Sequence, residues 1–422
     1  MRKMKDSGVA WIGEIPDDWR LIRFKDKYRN VKEIAKEQSV NYERLALTLG
    51  GVIKRPKDDS EGLQPKEFDG YQILRENDFI FKMIDLQNVS TSRVGLSPYT
   101  GLVSPAYIRF SPKKNGQESK FIYYYLMSLY YNQVFNNLGG NGVRSALSAK
   151  DMGEFVIPYP PEETEQKSIC VALDKKSEQI DALIANVQEQ IEKLKAYKQS
   201  LITEVVTKGL DPNVPMKDSG VEWIGEIPKY WNMVRGKALF EECDARSDDG
   251  SEELLTVSQY TGVTPRSQKS VNMFESTTLE GYKICEVGDI AANTMWLWAG
   301  AIGVSEYRGV ISPSYNVYRQ KEIKYISSYL DCLLRIPLLV QEYASRSTGI
   351  RASRLRLYPK DFMDIMFPVP PIEEQKTIMD ILGKKIDMVN QMISIKQSKI
   401  EKLEQYKRSL IYEYVTGKKE VS

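Results

Sequence analysis

Arginines in two glycine-containing loops are the residues of this chain best suited to specific binding chemistry. The first loop reads Gly-Gly-Asn-Gly-Val-Arg-Ser over residues 139–145, and the second reads Ser-Thr-Gly-Ile-Arg-Ala-Ser-Arg-Leu-Arg over residues 347–356. Residues 343–360 include five basic side chains and no acidic one. An arginine guanidinium can pair with guanine O6 and N7 or with a phosphate. A solvated basic loop is the alternative, but Gly-x-Arg at equivalent places in both halves favours contacts with duplex DNA.

Nine polar residues are therefore candidates for DNA contacts. Arg144 and Arg351 are the first candidates for reading bases, because they are the arginines of the repeated Gly-x-Arg pattern. Arg55 and Arg266 follow similar Gly-Val pairs, which we interpret as equivalent turns, and they are candidates for phosphate or base contacts. The remaining candidates are Asn141, Ser145, Arg346 and Arg354 for base reading, and Arg93 for phosphate or base contacts.

The sequence offers little for catalysis. It contains no histidine, which removes the commonest general base and the Ser-His and Cys-His nucleophile pairs. Neither the G-x-x-x-x-G-K-[ST] phosphate loop nor the G-x-G-x-x-G nucleotide fingerprint is present. The cysteines lie dozens of residues apart without a C-x-x-C pair, so neither a zinc site nor a disulfide framework is predicted. We expect no catalytic residue, no metal site and no cofactor in this chain.

The two loops belong to a chain whose sequence contains an internal repeat, so that its two halves are similar. Residues 191–206, IEKLKAYKQSLITEVV, and residues 400–415, IEKLEQYKRSLIYEYV, agree at eleven of sixteen positions. Apolar residues recur around both copies at alternating steps of three and four, the signature of a helix that buries one seam against another helix. Each run of about forty-five residues would make a rod of roughly 68 Å. The predicted seam residues are Leu173, Ile180, Ile184, Val187, Ile191, Leu194, Leu201, Leu382, Ile386, Val389, Ile393, Ile400, Leu403 and Leu410.

Matched apolar residues also lie beside the predicted seam in both helices. A strict contact between two helices would not need them. We predict that they pack against the globular domains or against partner subunits. These residues are Ile169, Leu183, Tyr197, Ile378, Met392 and Tyr406.

A second repeat marks the start of each globular part. The segment from Met4 to Trp19 recurs from Met216 to Trp231, with Trp-Ile-Gly-Glu-Ile-Pro in both copies. We interpret its tryptophans as buried anchors that attach each domain to a helix. Short strands with glycine turns follow, and then a helical stretch over 120–135 or 324–343. We predict globular domains over residues 1–157 and 211–366, and helical spacers over residues 158–210 and 367–422.

Bulk properties place the chain among soluble proteins. The net charge of +2 says nothing by itself about partners. No segment approaches the ~18 apolar residues of a membrane span, and the basic N-terminus is not followed by the apolar run of a signal peptide. We expect a cytoplasmic protein.

The whole arrangement resembles the DNA specificity subunit of type I restriction-modification systems. The resemblance is carried by the paired W-I-G-E-I-P segments, the Pro-Pro helix starts followed by Glu-Gln-Lys, the two I-E-K-L helices, and the Ser-Pro and Gly-x-Arg markers. Together these motifs cover nearly the whole chain. The resemblance implies an α+β fold with an internal pseudo-twofold repeat. Two similar target recognition domains, each with a mixed, twisted sheet and helices, would be joined by two long helices in an antiparallel coiled coil.

The resemblance also implies a function. Such a subunit is non-catalytic and reads a bipartite, asymmetric site on double-stranded DNA, one half with each domain. It binds two methyltransferase subunits and can recruit restriction subunits, so S-adenosylmethionine, ATP and magnesium are expected only on those partners. The alternative is an adaptor without DNA binding, in which both domains bind proteins and the coiled coil joins them.

Overall fold

The computed structural model describes residues 2–59, 67–84, 86, 94–114, 118–138, 146–269, 278–349 and 355–421. The chain forms two compact units. Unit 1 comprises Met1–Gln188 with Ser398–Ser422, and unit 2 comprises Glu189–Gln397. Each unit holds one globular domain and parts of two long helices. No helix among the described residues is both long enough and apolar enough to cross a membrane.

The globular part of unit 1 combines short strands with short helices. One four-stranded sheet has the order β6-β5-β10-β7, and another has the order β4-β11-β8-β9. Its strands are β1 (Met4–Asp6), β2 (Glu14–Pro16), β3 (Arg20–Arg23), β4 (Tyr28–Asn30), β5 (Arg44–Thr48), β6 (Gly51–Arg55), β7 (Gln72–Leu74), β8 (Phe79–Phe81), β9 (Val94–Leu96), β10 (Gly101–Val103), β11 (Ile108–Pro112) and β12 (Val156–Tyr159). Its helices are α1 (Phe24–Lys27), α2 (Ser119–Tyr131), α3 (Val134–Leu138) and α4 (Ala149–Glu154).

The globular part of unit 2 repeats this plan. Its four-stranded sheet, β16-β23-β20-β21, corresponds to β4-β11-β8-β9 strand for strand. The strands are β13 (Met216–Asp218), β14 (Glu226–Pro228), β15 (Asn232–Arg235), β16 (Phe240–Cys243), β17 (Leu255–Ser258), β18 (Gly262–Pro265), β19 (Lys283–Cys285), β20 (Ile290–Ala292), β21 (Ile302–Val304), β22 (Gly309–Ile311), β23 (Asn316–Gln320) and β24 (Met366–Val369). The helices are α6 (Gly236–Leu239), α7 (Ser327–Leu334), α8 (Pro337–Arg346) and α9 (Pro359–Met363).

Each helical stretch predicted as continuous is in fact two helices. In unit 1, α2 ends at Tyr131 and Gln133 adopts a φ of 54°, which interrupts the helical backbone. In unit 2, α7 ends at Leu334 and the next helix begins at Pro337. A proline cannot donate the backbone hydrogen bond of a helix interior but fits the first helical position, so a new helix begins there.

The two long helices are α5 (Glu163–Lys208) and α10 (Ile372–Val415). Both follow a pair of prolines and carry glutamates in the first turn, where carboxylates favour the positive end of the helix dipole. Gly209 and Gly417 follow their last turns with φ values of 77° and 72°, the left-handed conformation that commonly ends a helix. The predicted start and stop signals therefore agree with the structure.

The helices pack in opposite directions within each unit. In unit 1, the Lys407 ammonium pairs with the Asp181 carboxylate at 2.7 Å. In unit 2, Lys396 donates to Gln190 at 2.5 Å, and Lys198 donates to Asn390 at 3.0 Å. The residue numbers along α10 fall as those along α5 rise, so the predicted antiparallel pairing is confirmed. The sheets and helices of both units confirm the predicted α+β fold. Among the predicted seam residues, Leu173, Ile180, Val187, Ile191, Leu201, Leu382, Val389 and Leu410 are buried, and Ile184, Leu194, Ile386, Ile393, Ile400 and Leu403 are partly buried.

A tryptophan fixes each globular domain to a long helix. In unit 1, Trp19 is 1% exposed and its indole Nε1 donates to Glu165 at 3.2 Å. In unit 2, Trp231 is fully buried and its Nε1 donates to Glu374 at 2.9 Å. These glutamates belong to the two Glu-Gln-Lys motifs at the starts of α5 and α10. The motif is thus a structural anchor, which we call the tryptophan junction.

Candidate nucleic-acid interface

Most of the candidate DNA contacts predicted from the sequence lie outside the described residues. They are Arg93, Asn141, Arg144, Ser145, Arg351 and Arg354. The structure does place the residues that flank the two arginine loops, defined as residues 139–145 and 347–356. Those flanking residues show where each loop is attached to its domain.

In the first domain, the arginine loop ends beside the loop that follows β8. The backbone N–H of Leu147 donates to the carbonyl of Met83 at 3.0 Å, and Ile84 forms an antiparallel bridge with Ala146. Ser148 then caps α4, because its hydroxyl accepts from the Asp151 N–H at 3.2 Å. Two chain segments far apart in sequence are therefore joined at one edge of this domain.

In the second domain, two backbone hydrogen bonds close the base of the arginine loop. The Thr348 N–H donates to the Arg356 carbonyl at 3.0 Å, and the Arg356 N–H donates to the Thr348 carbonyl at 2.9 Å. The loop leaves directly from α8, where Arg346 pairs with Glu342 at 2.6 Å. Backbone hydrogen bonds thus fix both ends of the segment whose sequence contains Arg351 and Arg354. Arg346 lies on α8.

The structure also locates the two arginines that follow Gly-Val pairs. Arg55 is the last residue of β6 and pairs with Asp59 at 2.6 Å, whereas Arg266 directly follows β18. The prediction of a turn was wrong for Arg55, which lies in a strand, whereas Arg266 opens the short 3₁₀ helix Arg266–Gln268. Gly51 and Gly262 are the first residues of β6 and β18. Each takes a positive φ at the end of a hairpin turn, so the turn lies before the Gly-Val pair. Both arginines remain at matching places in the two domains.

Other residues that the two domains share stabilise the strands of their sheets. Asp78 binds Arg109 at 2.6 Å, and Asp289 binds Arg319 through two contacts of 2.7 Å. Asp78 and Asp289 also accept backbone N–H groups of the preceding turns, at 2.7 and 2.9 Å. The hydrogen bonds that Arg319 donates to Asp289 raise the pKa of its guanidinium, so this arginine stays charged. These shared residues hold strands together, which leaves the divergent loops as the variable part of each domain.

Comparisons with known proteins agree with this architecture. Residues 27–193 match the family model described as the type I restriction modification DNA specificity domain. The chain is 23% identical to the putative type I restriction enzyme MjaX specificity subunit of Methanocaldococcus jannaschii, over 96% of this chain and 95% of that one. It is also 23% identical to the type I restriction enzyme MjaVIII specificity subunit of the same organism, over 96% and 93%.

A solved structure supports the fold over the same length. The match is to a chain from work on the complex assembly and conformational transition of the type I R-M system. Its TM-score is 0.63 at 16% identity, covering 95% of this chain and 98% of that chain. Over nearly its whole length, this chain is therefore similar to type I restriction enzyme specificity subunits.

The cysteines of this chain are poorly suited to nucleophilic chemistry. Burial raises the pKa of Cys170 and Cys332 to about 11 and that of Cys285 to about 12. A thiol attacks as its thiolate, so these residues are inert near neutral pH. Within the described parts of the chain, no cluster of three or more potential metal-binding side chains occurs.

The apolar residues beside the seam fall into two groups. Ile169 and Ile378 are 2% and 0% exposed and belong to the hydrophobic cores of their units. The other four are exposed by about half on the helix surfaces: Leu183, Tyr197, Met392 and Tyr406. The first group packs against the globular domains, so only the second remains available to partner subunits.

Proposed function

We propose that this chain reads a bipartite, asymmetric site on double-stranded DNA, one half with each globular domain, and positions methyltransferase subunits there. The observation that carries the proposal is the repeated attachment of two similar domains. Each is fixed to a long helix through the same tryptophan junction, while the loops at matching places differ. A constant framework with divergent loops suits two readers of different half-sites.

Physical chemistry favours joining two readers through long helices. A second half-site contact becomes intramolecular once the first has formed, which raises the overall affinity without new contacts. The helices α5 and α10 are continuous over 46 and 44 residues. A helical connection is stiffer than a flexible linker, so the spacing between half-sites is set by geometry.

Methyltransferase subunits would bind the exposed side of the helix pairs. Met392 directly precedes the seam residue Ile393, and Tyr197 directly precedes Lys198. The hydrogen bond between Lys198 and Asn390 places Tyr197 and Met392 at the same level in unit 2. Leu183 and Tyr406 occupy the corresponding positions in unit 1, beside the Asp181–Lys407 ion pair. We call these pairs the flank patches. S-adenosylmethionine would bind the methyltransferase subunits, and ATP and magnesium any restriction subunits that join the complex.

Methylation mapping tests the proposed function directly. The chain is expressed with its methyltransferase partner, and modified bases are located across a genome in its presence and absence. The expected result is methylation confined to one bipartite sequence. The purified complex should also bind duplex DNA with an affinity that falls steeply with salt. An adaptor without DNA binding would give neither a chain-dependent motif nor salt-dependent affinity.

Removing Arg351 should alter one half-site only. We expect Arg351→Ala to weaken binding by about 1–3 kcal/mol and to relax one position of the sequence that the second domain reads. Arg308→Ala is the matched comparison, because Arg308 belongs to the same domain, lies outside the candidate set and pairs with Glu286 at 3.2 Å. Mapping the methylated motif of each variant checks the prediction. A uniform loss across all sequences would instead assign Arg351 to a phosphate.

Removing one flank patch should change the number of bound methyltransferase subunits. In Tyr197→Ala/Met392→Ser, a surface with side chains 54% and 52% exposed loses its apolar character while the buried seam is untouched. We expect one methyltransferase subunit fewer per chain, measured by native mass spectrometry. Val171→Ser, at a residue 67% exposed outside the patches, serves as the control. Full stoichiometry in the double variant would contradict the assignment.

A further inference from the structure

The loop between β20 and β21 displays tryptophan at the surface of the second domain. Trp296 is 51% exposed and Met295 is 40% exposed. The rings of Trp296 and Trp298 stack with centroids 5.7 Å apart and planes inclined by 26°. Exposing a large aromatic surface to water forgoes the stabilisation that its burial would give. This segment, residues 293–300, is named the tryptophan loop.

Hydrogen bonds and buried residues hold the tryptophan loop in one conformation. Asn293 is 6% exposed and donates to the Tyr315 hydroxyl at 2.8 Å. The Thr294 hydroxyl donates to the Ser314 carbonyl at 2.7 Å, and the Trp298 indole donates to the Met295 carbonyl at 2.9 Å. Leu297 is fully buried beneath the loop. The exposed ring of Trp296 is therefore presented by a fixed scaffold, which lowers the entropy lost on binding.

The same position in the first domain has different chemistry. Strands β8 and β20 correspond, yet the connection after β8 spans residues 82–93 and reads Lys-Met-Ile-Asp-Leu-Gln-Asn-Val-Ser-Thr-Ser-Arg. It contains no aromatic residue, whereas the tryptophan loop contains two. In a protein whose framework residues are duplicated, this is a place where the two copies have diverged in both length and side chains. Divergence of this kind is expected where two domains read different bases.

The tryptophan loop and the arginine loop of the second domain are both attached to α8. A side chain added at Gly300 would contact Val340 of α8 at 3.0 Å, so the loop packs closely on that helix. The arginine loop departs from the end of α8, six residues beyond Val340. In the first domain, the corresponding segments are hydrogen-bonded directly through Met83 and Leu147. In each domain, the two variable segments are therefore attached to nearby parts of the same framework.

We propose that Trp296 is a specificity-determining residue that makes an apolar contact with the bases of the second domain's half-site. The inference rests on the proposed function, since it assigns a role within the same DNA interface. In the major groove of a duplex, an aromatic side chain can contact the methyl group of thymine, and it neutralises no phosphate. The contact therefore contributes to sequence preference and leaves the salt dependence of binding unchanged.

The test compares Trp296→Ala with Val287→Ala in the full chain assembled with its methyltransferase subunits. Val287 is 65% exposed and precedes β20, so it lies at the opposite end of the same strand from the tryptophan loop. For Trp296→Ala we expect relaxation at one or two positions of one half-site and roughly tenfold weaker affinity for the wild-type sequence. The slope of log affinity against log salt should equal that of the wild-type complex. Val287→Ala should retain both half-sites.

Several outcomes would overturn the inference. An unchanged motif and affinity in Trp296→Ala would show that the ring does not touch DNA. Loss of methyltransferase binding with the sequence preference retained would assign the loop to a protein interface. A shallower salt slope would indicate an indirect effect on phosphate contacts. Trp296→Phe, which keeps an aromatic ring, should preserve the motif and thereby separates loss of contact from local misfolding. If the wild-type complex itself produced no defined motif, the proposed function would fail rather than this assignment alone.

Discussion

Replacing Gly417 with alanine is expected to destabilise unit 1 by about 2–5 kcal/mol. The left-handed conformation at φ 72° costs a residue with a side chain roughly 1–2 kcal/mol. The added methyl group would also overlap the ring of Pro16 and approach Trp19 at 3.2 Å, at the tryptophan junction. Overpacking of this kind typically costs a further 1–3 kcal/mol. Urea unfolding followed by tryptophan fluorescence measures the loss.

Alanine substitutions at two other glycines distinguish the cost of the left-handed backbone from the cost of the steric overlap. Gly8 has a φ of 69° with no atom within 4 Å of an added methyl group, so Gly8→Ala should show the backbone cost alone. Gly209 occupies the matching junction of unit 2, where the nearest atom is a Glu374 carboxylate oxygen at 3.0 Å. We expect an intermediate loss for Gly209→Ala because that side chain can move. Equal losses in all three variants would show that the overlap at Pro16 is relieved without cost.

Replacing Asp78 with alanine is expected to lower the free energy of unfolding by about 3 kcal/mol, because the buried Arg109 guanidinium would lose its closest carboxylate. The side chains of Asp78 and Arg109 are each 2% exposed, and their closest contact is 2.6 Å. Glu33 remains 3.2 Å from the same guanidinium, which moderates the loss. The substitution Asp78→Ala also removes the acceptor for the Arg75 N–H. Thermal and urea unfolding of the full chain check this value.

The matching ion pair of the second domain supplies the control. Asp289 is equally buried, but the side chain of its partner Arg319 is 46% exposed. Water can hydrate that guanidinium when the carboxylate is removed, so Asp289→Ala should cost distinctly less, about 1–2 kcal/mol. A greater loss for Asp289→Ala than for Asp78→Ala would contradict the view that burial of the arginine decides the cost.

The long helices and their pairing were predictable because their determinants are local and periodic. Proline pairs, acidic first turns and the terminal glycines mark the ends of α5 and α10. The seam pattern specifies which face each helix buries. Near identity of the two copies then indicates that the same unit occurs twice.

Features that depend on contacts between distant segments were less accessible from sequence. Nothing local distinguishes Ile169, which is buried in the unit 1 core, from Leu183, which is 51% exposed two helical heptads later. The broken helices in each domain and the strand positions of Arg55 and Gly262 also depend on tertiary packing. Trp296 gave no signal on its own, because its exposure follows from the way Asn293 and Leu297 hold the loop. Comparing corresponding segments of the two halves could have drawn attention to it.

The tryptophan junction has a consequence for how new proteins of this kind can arise. Both globular domains are attached by the same few side chains, and near-identical stretches of sequence lie at their borders. Recombination between such stretches would transplant a whole domain with its junction tryptophan onto helices whose anchoring glutamates belong to the same motif. Under the proposed function, a cell would thus acquire a new recognition sequence in one genetic event, without any compensating change in the methyltransferase subunits.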